Sequence, residues 1–203
     1  MEVNIISNCC AGATLYKNYL GIPYNNPFIW AVLYPKTVFT LLESFYTINW
    51  LNIKLEEANL MVDPSQGRRN YKIIIDNKVE IFYIHYQFNE TQSTIYDTGV
   101  DVFYNRIWEY VIEKYISRVK RMGELKVPPS FLLCDNKEGY SFSNNDILRL
   151  LSPRPFKIVL ATDKDLSHYD IPANVMVIHH NGDKHLEICD KYHTNIIKFI
   201  TAS

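Results

Sequence analysis

Two adjacent thiols near the amino terminus are the side chains of this sequence best suited to covalent chemistry. Cys9 and Cys10 follow an apolar run at residues 3–7 and precede a predicted helix at residues 14–20. At a helix amino terminus, the macrodipole and free backbone N–H groups favour thiolate over thiol. The same N–H groups, near Gly12, could hold the oxyanion of an acyl transfer. The spacing therefore predicts Cys10 as a nucleophile, and two buried thiols acting as small hydrophobic side chains are the alternative.

A thiol nucleophile needs a base, and His85 is the best candidate in the sequence. It lies near the end of a predicted strand at residues 79–86, where active-site residues of sheet proteins commonly project. Asp135 follows another predicted strand, residues 131–134, and is the candidate for orienting the imidazole. Each also has a structural alternative. His85 could be a hydrogen-bonded residue at a strand end, and Asp135 could be the first residue of a turn.

A metal site is a weaker hypothesis. His185, Cys189 and His193 follow one another at four-residue intervals and would share one face of a helix. His179 or His180 could complete a tetrahedral zinc site. The same helix face carries apolar residues, and the sequence contains neither Cys-x-x-Cys nor His-Glu-x-x-His. We therefore predict no metal and no other cofactor, and expect Cys189 in the core.

Asp163 and Asp165 form an Asp-x-Asp triplet, a spacing that some glycosyltransferases use to hold a divalent cation beside a sugar diphosphate. Such triplets are frequent by chance, and this one is expected to cap the loop that follows a strand. The sequence has no glycine-rich loop of the type that cradles phosphates. A glycosyltransferase is thus an alternative with little local support.

The elements that must position these residues alternate between strands and helices. Apolar periodicity predicts strands at 3–7, 28–33, 71–75, 79–86, 131–134, 157–161 and 175–178, and helices at 14–20, 35–45, 101–122, 144–151 and 183–201. This order predicts an α/β fold, with a mixed, partly parallel sheet and helices on its faces. The turn at residues 76–78 predicts a hairpin that adds an antiparallel part. With no repeat or linker, residues 1–203 are expected to form a single globular domain.

Composition narrows the class of partner. The 203 residues carry 21 basic and 22 acidic side chains, for a net charge of −1, which lacks the basic excess typical of nucleic-acid-binding proteins. The sequence contains neither a recognisable secretory signal nor an apolar stretch long enough to span a membrane. The four cysteines are expected to be reduced thiols. We therefore expect a cytoplasmic protein with no nucleic-acid partner and no membrane span.

Two stretches of the opening are similar to a known family. Residues 5–12, Ile-Ile-Ser-Asn-Cys-Cys-Ala-Gly, and residues 20–28, Leu-Gly-Ile-Pro-Tyr-Asn-Asn-Pro-Phe, resemble the start of a bacterial and viral family labelled exopolysaccharide-biosynthesis proteins. That family runs Ile-Ser-Asn-Asn-Cys-Trp-Gly-Gly and then Leu-Gly-x-x-Tyr-Asn-Ser-Pro-Phe. Residues 82–86 resemble its Phe-Leu-His-Tyr strand, and residues 118–122 resemble its basic helix. This chain departs from the pattern at Cys9, Ala11 and Ala13.

A related group is described as papain-like cysteine peptidases, so the resemblance implies a nucleophile at Cys10 and a base at His85. The expected function is thiol-dependent acyl transfer or hydrolysis in exopolysaccharide or surface-glycan biosynthesis, on a small-molecule or glycan substrate. In this scheme Asp135 orients His85, and amides near Gly12 hold the oxyanion. The alternatives are a glycosyltransferase-like protein using a divalent cation and a sugar nucleotide, or a non-catalytic binding module of a glycan-assembly system. The exact substrate, the oligomeric state and the role of Cys9 stay open.

Overall fold

The computed structural model describes residues 2–58, 70–83, 100–135 and 141–202. In chain order the elements are β1 (Ile5–Ser7), α1 (Ala11–Thr14) continuing as a π-helix (Leu15–Leu20), β2 (Ala31–Val32), α2 (Pro35–Ser44), a 3₁₀ turn (Phe45–Thr47), β3 (Ile53–Ala58), β4 (Asn70–Ile75), β5 (Val79–Tyr83), α3 (Val100–Glu124), β6 (Ser130–Asp135), α4 (Asn144–Leu150), β7 (Lys157–Thr162), β8 (Val175–His179) and α5 (His185–Thr201). These elements form two four-stranded sheets with helices packed against them. The predicted α/β class is confirmed.

One sheet is entirely parallel, with strand order β1-β6-β7-β8. Its central strands β6 and β7 are almost completely buried, as expected of parallel strands covered on both faces. Because all four strands run in the same direction, their carboxyl ends meet at one edge of the sheet. The residues that end or follow these strands therefore lie along that edge, which we call the carboxyl edge.

The other sheet is antiparallel, with strand order β2-β5-β4-β3. The predicted hairpin joins β4 to β5 through Asp76 and Asn77, whose φ angles are +52° and +53°. Asp and Asn tolerate this left-handed conformation better than most residues, and it matches the twist of a hairpin. The antiparallel strands thus form a sheet of their own and do not extend the parallel one.

The parallel sheet buries a different apolar cluster on each face. On one face, side chains such as Phe131 and Leu160 pack with Ile73 and Ile81 of the antiparallel sheet and with Val38 of α2. The opposite face packs against α1, the π-helix and α5, and its cluster contains Ile5, Leu132, Val159, Ala13 and Ile188. Cys9, Cys134 and Cys189 belong to this second face.

The helix ends follow the local sequence. Ser143 begins α4 with a capping box, because its hydroxyl accepts the N–H of Asp146 while the Asp146 carboxylate accepts the N–H of Ser143. Gly21 ends the π-helix with a φ of +62°, the left-handed conformation that glycine adopts without strain. Among the described residues, none of the helices combines the length and the apolar character needed to cross a membrane.

Candidate functional site at the carboxyl edge

The carboxyl edge gathers the reactive and polar side chains that follow the parallel strands. Cys10 comes after β1, Asp135 ends β6, Lys164 follows β7, and His180 follows β8. In open α/β sheets, ligands bind in the crevice outside the carboxyl ends of the strands. We therefore treat this edge as the candidate functional site.

Cys10 occupies the N-cap position of α1, as the sequence predicts. Of the four cysteines it alone is partly exposed, and the other three are buried. The first hydrogen bond of the helix runs from the Thr14 N–H to the Cys10 carbonyl, at 3.1 Å. The N–H groups of Ala11, Gly12 and Ala13 precede that bond, and the first N–H groups of a helix have no acceptor within it. Cys10 itself has helical φ and ψ angles of −67° and −7°, and its side chain makes no capping hydrogen bond to these N–H groups. The thiol and the backbone donors thus belong to the same helix turn.

The predicted activation of this thiol by the helix end is wrong for the resting protein. Burial of the side chain, followed by the negative charge of neighbouring Cys9, raises the pKa of Cys10 to about 11. Removal of the thiolate from water disfavours its charged form, and the helix-end N–H of Ala11 lowers the pKa of the neighbouring Cys9 thiol instead. At neutral pH, Cys10 is therefore a protonated thiol.

Gly12 sets how closely α1 approaches β1. A Cβ atom at this position would lie 2.8 Å from the Cβ of Ser7, closer than two carbon atoms can pack. The second residue after Cys10 must therefore lack a side chain. This close approach keeps Cys10 near the end of β1.

Replacement of Gly12 by alanine is expected to lower the free energy of unfolding by about 1–3 kcal/mol, the usual cost of overpacking a core. Urea denaturation measures the change. Ser7→Gly in the same background removes the opposing Cβ and should recover most of the loss. Gly123→Ala, at a position with no atom within 4 Å of the added Cβ, is the matched control and should be neutral or slightly stabilising. A Gly12→Ala protein as stable as the original would show that this contact does not constrain the helix.

Asp135 is a buried anchor between β6, β7 and the segment before α4. Its side chain is 2% exposed and accepts the Phe142 N–H at 2.8 Å and the Thr162 hydroxyl at 2.8 Å. It also forms an ion pair with Lys164, whose ammonium group donates to the Phe142 carbonyl at 2.7 Å. The described contacts of this carboxylate thus join elements of the fold. The sequence offered Asp135 as the first residue of a turn, and that interpretation predicts neither the burial of its carboxylate nor its ion pair with Lys164.

His85 lies outside the described residues, so its pairing with Cys10 and its orientation by Asp135 stay predictions. A different histidine, His180, does reach the cluster around Asp135. Its side chain is buried and its Nε2 lies 3.3 Å from the Asp135 carbonyl oxygen, where it donates a hydrogen bond. Within the described ranges its Nδ1 is buried without a hydrogen-bond partner. The sequence suggests His180 only as a metal ligand, although a position directly after a strand is itself a signal for this edge.

The Asp-x-Asp triplet behaves as a loop cap. The Asp165 carboxylate accepts the Ser167 N–H at 2.9 Å, and this bond, together with one from the Ser167 hydroxyl, lowers the pKa of the Asp165 carboxyl. Asp163 is exposed. Both residues follow β7 at the carboxyl edge, where the sequence placed them.

Cys189 and His193, which the sequence offered for a zinc site together with His185, each contact other groups. The Cys189 thiol is buried and donates to the Ala11 carbonyl at 3.3 Å. The His193 ring stacks on Tyr19 with the ring centroids 3.9 Å apart. Over the described ranges, which include these residues, no group of three or more His, Cys, Asp or Glu side chains could hold a metal ion.

The second family-like stretch is a structural clamp on β1. The buried Asn26 amide donates to the Ile5 carbonyl at 2.8 Å and to the Asn4 side chain at 3.1 Å, while its oxygen accepts the Phe28 N–H at 3.0 Å. Neighbouring Asn25 accepts the Tyr16 hydroxyl. These bonds account for the Asn-Asn pair of this stretch without any direct role in chemistry.

The basic stretch at residues 118–122, near the end of α3, donates hydrogen bonds to the loop that carries Asn25 and Asn26. Arg118 is buried and donates to the Ile29 carbonyl at 3.3 Å, with its guanidinium 5.6 Å from the centre of the Tyr24 ring. Arg121 donates to the Tyr24 carbonyl at 2.8 Å. These two arginines position the loop that follows the π-helix, so the family-like stretches at residues 20–28 and 118–122 support the fold.

A family model described as Domain of unknown function (DUF1919) matches residues 1–98, just under half of the chain. The match includes Cys10 and His85 but ends before Asp135. This match confirms that the opening is similar to an uncharacterised family. The description of that family names no activity. No curated protein sequence matches the chain significantly.

Proposed function

We propose that this chain is a thiol-dependent acyltransferase or hydrolase with Cys10 as its nucleophile and His85 as its base. One observation carries the proposal: the one partly exposed thiol of the chain lies at the carboxyl edge of a parallel sheet, at the first turn of a helix. A nucleophile in that position meets an acyl carbonyl beside backbone donors that precede the first helical hydrogen bond. The three buried thiols lack this combination.

The raised pKa of Cys10 determines the order of proton transfer. His85 takes the thiol proton while the Cys10 sulfur attacks the acyl carbonyl, and N–H groups near Gly12 donate hydrogen bonds to the developing oxyanion. The imidazolium then returns the proton to the leaving group, which leaves an acyl thioester on Cys10. Water, or an acceptor hydroxyl, then attacks the thioester. His85 takes a proton from this nucleophile and returns it to the Cys10 sulfur as the acyl group leaves.

Asp135 is the proposed group that orients His85. A carboxylate offers about four lone-pair positions, and bonds from Phe142, Thr162 and Lys164 use three of them. Among the residues that the structure describes, no other group takes the fourth position, and we assign it to an imidazole N–H of His85. The resemblance of the opening to proteins labelled for exopolysaccharide biosynthesis supports an acylated small molecule or glycan as the substrate.

Acyl trapping with p-nitrophenyl acetate tests the proposal. We expect an acetyl group on Cys10, mapped by mass spectrometry, and its loss in Cys10→Ala. His85→Ala should slow the acylation by about 10²–10⁴-fold, the usual contribution of a general base.

The matched control places an ordinary exposed thiol elsewhere, by Ser152→Cys in the Cys10→Ala background. If Cys10 is acylated no faster than this control thiol, or if His85→Ala leaves the rate unchanged, the proposed function is wrong.

A further inference from the structure

Three buried thiols on the α1 and α5 side of the parallel sheet have no part in the proposed reaction. Cys9, Cys134 and Cys189 belong to the same apolar cluster. Cys189 donates to the Ala11 carbonyl at 3.3 Å. Cys134 lies on β6, and Cys9 follows the end of the neighbouring strand β1. The distance between the two thiols can therefore be judged from the register of these strands.

The register brings Cys9 opposite Cys134. β1 pairs with β6 in parallel, and Ser7 lies opposite Leu132. Continued two residues beyond the end of β1, the same alignment places Cys9 beside Cys134 on the same face, where the two thiols interact. Neighbouring strands are about 4.8 Å apart, and the Cα atoms of disulfide-bonded cysteines are usually about 4.4–6.8 Å apart.

Asn8 maintains this alignment beyond the end of β1. Its side-chain amide donates to the Cys134 carbonyl at 2.9 Å, and its side-chain oxygen accepts the Cys134 N–H at 2.9 Å. The side chain therefore replaces the missing strand pairing at this point. Both thiols are buried, at 3% exposure for Cys9 and 0% for Cys134, so the pair is also shielded from competing thiols.

We propose that Cys9 and Cys134 are an oxidation site, and that a peroxide converts them to a disulfide that joins the end of β1 to β6. The Cys9 sulfur attacks one peroxide oxygen, the O–O bond breaks, and the products are a sulfenic acid on Cys9 and water. The Cys134 sulfur then attacks the Cys9 sulfur, the S–O bond breaks, and the hydroxyl leaves as a second water with the Cys134 proton. Two thiols lose two electrons in total, and hydrogen peroxide is reduced by the same two.

The order of the two steps follows from the hydrogen bond between the thiols. Cys134 donates to Cys9, and this bond is the largest of the effects that hold the pKa of Cys9 below its ordinary value. The same contact and burial raise the pKa of Cys134. Cys9 is thus the thiol that attacks the peroxide, and Cys134 is the one that resolves the sulfenic acid.

The disulfide also changes the neighbouring nucleophile. The charge of Cys9 is one of the two causes that raise the pKa of Cys10, after burial. A disulfide at Cys9 carries no charge, so the pKa of Cys10 falls on oxidation. The buried pair is therefore coupled to the reactivity of the partly exposed Cys10 thiol.

The experiment treats the folded protein with hydrogen peroxide, blocks the remaining thiols, and maps cross-linked peptides by mass spectrometry. We expect a peptide that joins Cys9 to Cys134, a fall from four thiols to two, and full recovery with dithiothreitol. Cys189→Ala, which removes the third buried thiol, is the matched control and should still form the cross-link. Cys10→Ala should form it too, which separates this inference from the proposed function.

Cys134→Ala should leave Cys9 without a disulfide partner. Because Cys134→Ala also alters the core, the proposal is judged by the cross-linked peptides of the unaltered protein alone. Oxidation of Cys10 with Cys9 and Cys134 still reduced, or a dominant Cys9–Cys10 cross-link, would overturn the proposal.

Discussion

Asp135→Ala is expected to lower the free energy of unfolding by about 3 kcal/mol, the lower end of the usual cost of breaking a buried ion pair. The substitution removes the acceptor of the Phe142 N–H, of the Thr162 hydroxyl and of the Lys164 ammonium group. The lysine side chain is 27% exposed, so it can regain some contact with water. Buried groups such as the Thr162 hydroxyl cannot, and their unmet hydrogen bonds carry most of the cost. Urea denaturation followed by circular dichroism measures the change.

Two variants separate this effect from a general loss of charge. Asp163→Ala removes an exposed carboxylate one residue beyond Thr162 and should change the stability by less than about 0.5 kcal/mol. Asp135→Ala combined with Lys164→Met removes both charges and should cost less than Asp135→Ala alone. Equal urea midpoints for Asp135→Ala and the original protein would mean that the buried pair contributes nothing to folding.

Most elements follow from the apolar periodicity of the sequence, and the differences have local causes. The strand predicted at residues 28–33 is shortened to Ala31–Val32, because Trp30 has a φ of +62° and interrupts the extended backbone. Strand β3, Ile53–Ala58, was not predicted. Its apolar and charged residues do alternate, but charged side chains are frequent along it, as on many strands at a sheet edge.

The site was predictable only where its residues are neighbours in sequence. The position of Cys10 at a helix start follows from a strand, a short connection and a helix within about twenty residues. The ion pair of Asp135 with Lys164 joins residues 29 positions apart. It depends on β6 and β7 being adjacent in the sheet, which a single sequence does not reveal. The pKa of Cys10 likewise depends on burial by residues brought close only by folding.

Alkylation of Cys10 by iodoacetamide is expected to accelerate about tenfold per pH unit between about pH 7 and pH 10, because only the thiolate reacts. With a pKa of about 11, roughly one Cys10 side chain in 10⁴ is a thiolate at neutral pH. An exposed thiol with a pKa of about 8.5 has roughly 300 times more thiolate, although its weaker basicity makes each thiolate about tenfold less nucleophilic. Cys10 should therefore react about 30-fold more slowly at neutral pH than the thiol of Ser152→Cys, and mass spectrometry of the alkylated peptides gives both rates.

The position of this pH profile identifies the cause of the raised pKa. Cys9→Ser removes the neighbouring negative charge and should move the Cys10 profile to lower pH, because that charge is the second cause after burial. The profile of the Ser152→Cys thiol should not move. A Cys10 rate that stays high and flat down to about pH 6, and that falls in His85→Ala, would instead reveal a thiolate–imidazolium pair already formed in the free protein. That result would contradict the protonated resting thiol and would place proton transfer to His85 before substrate binding.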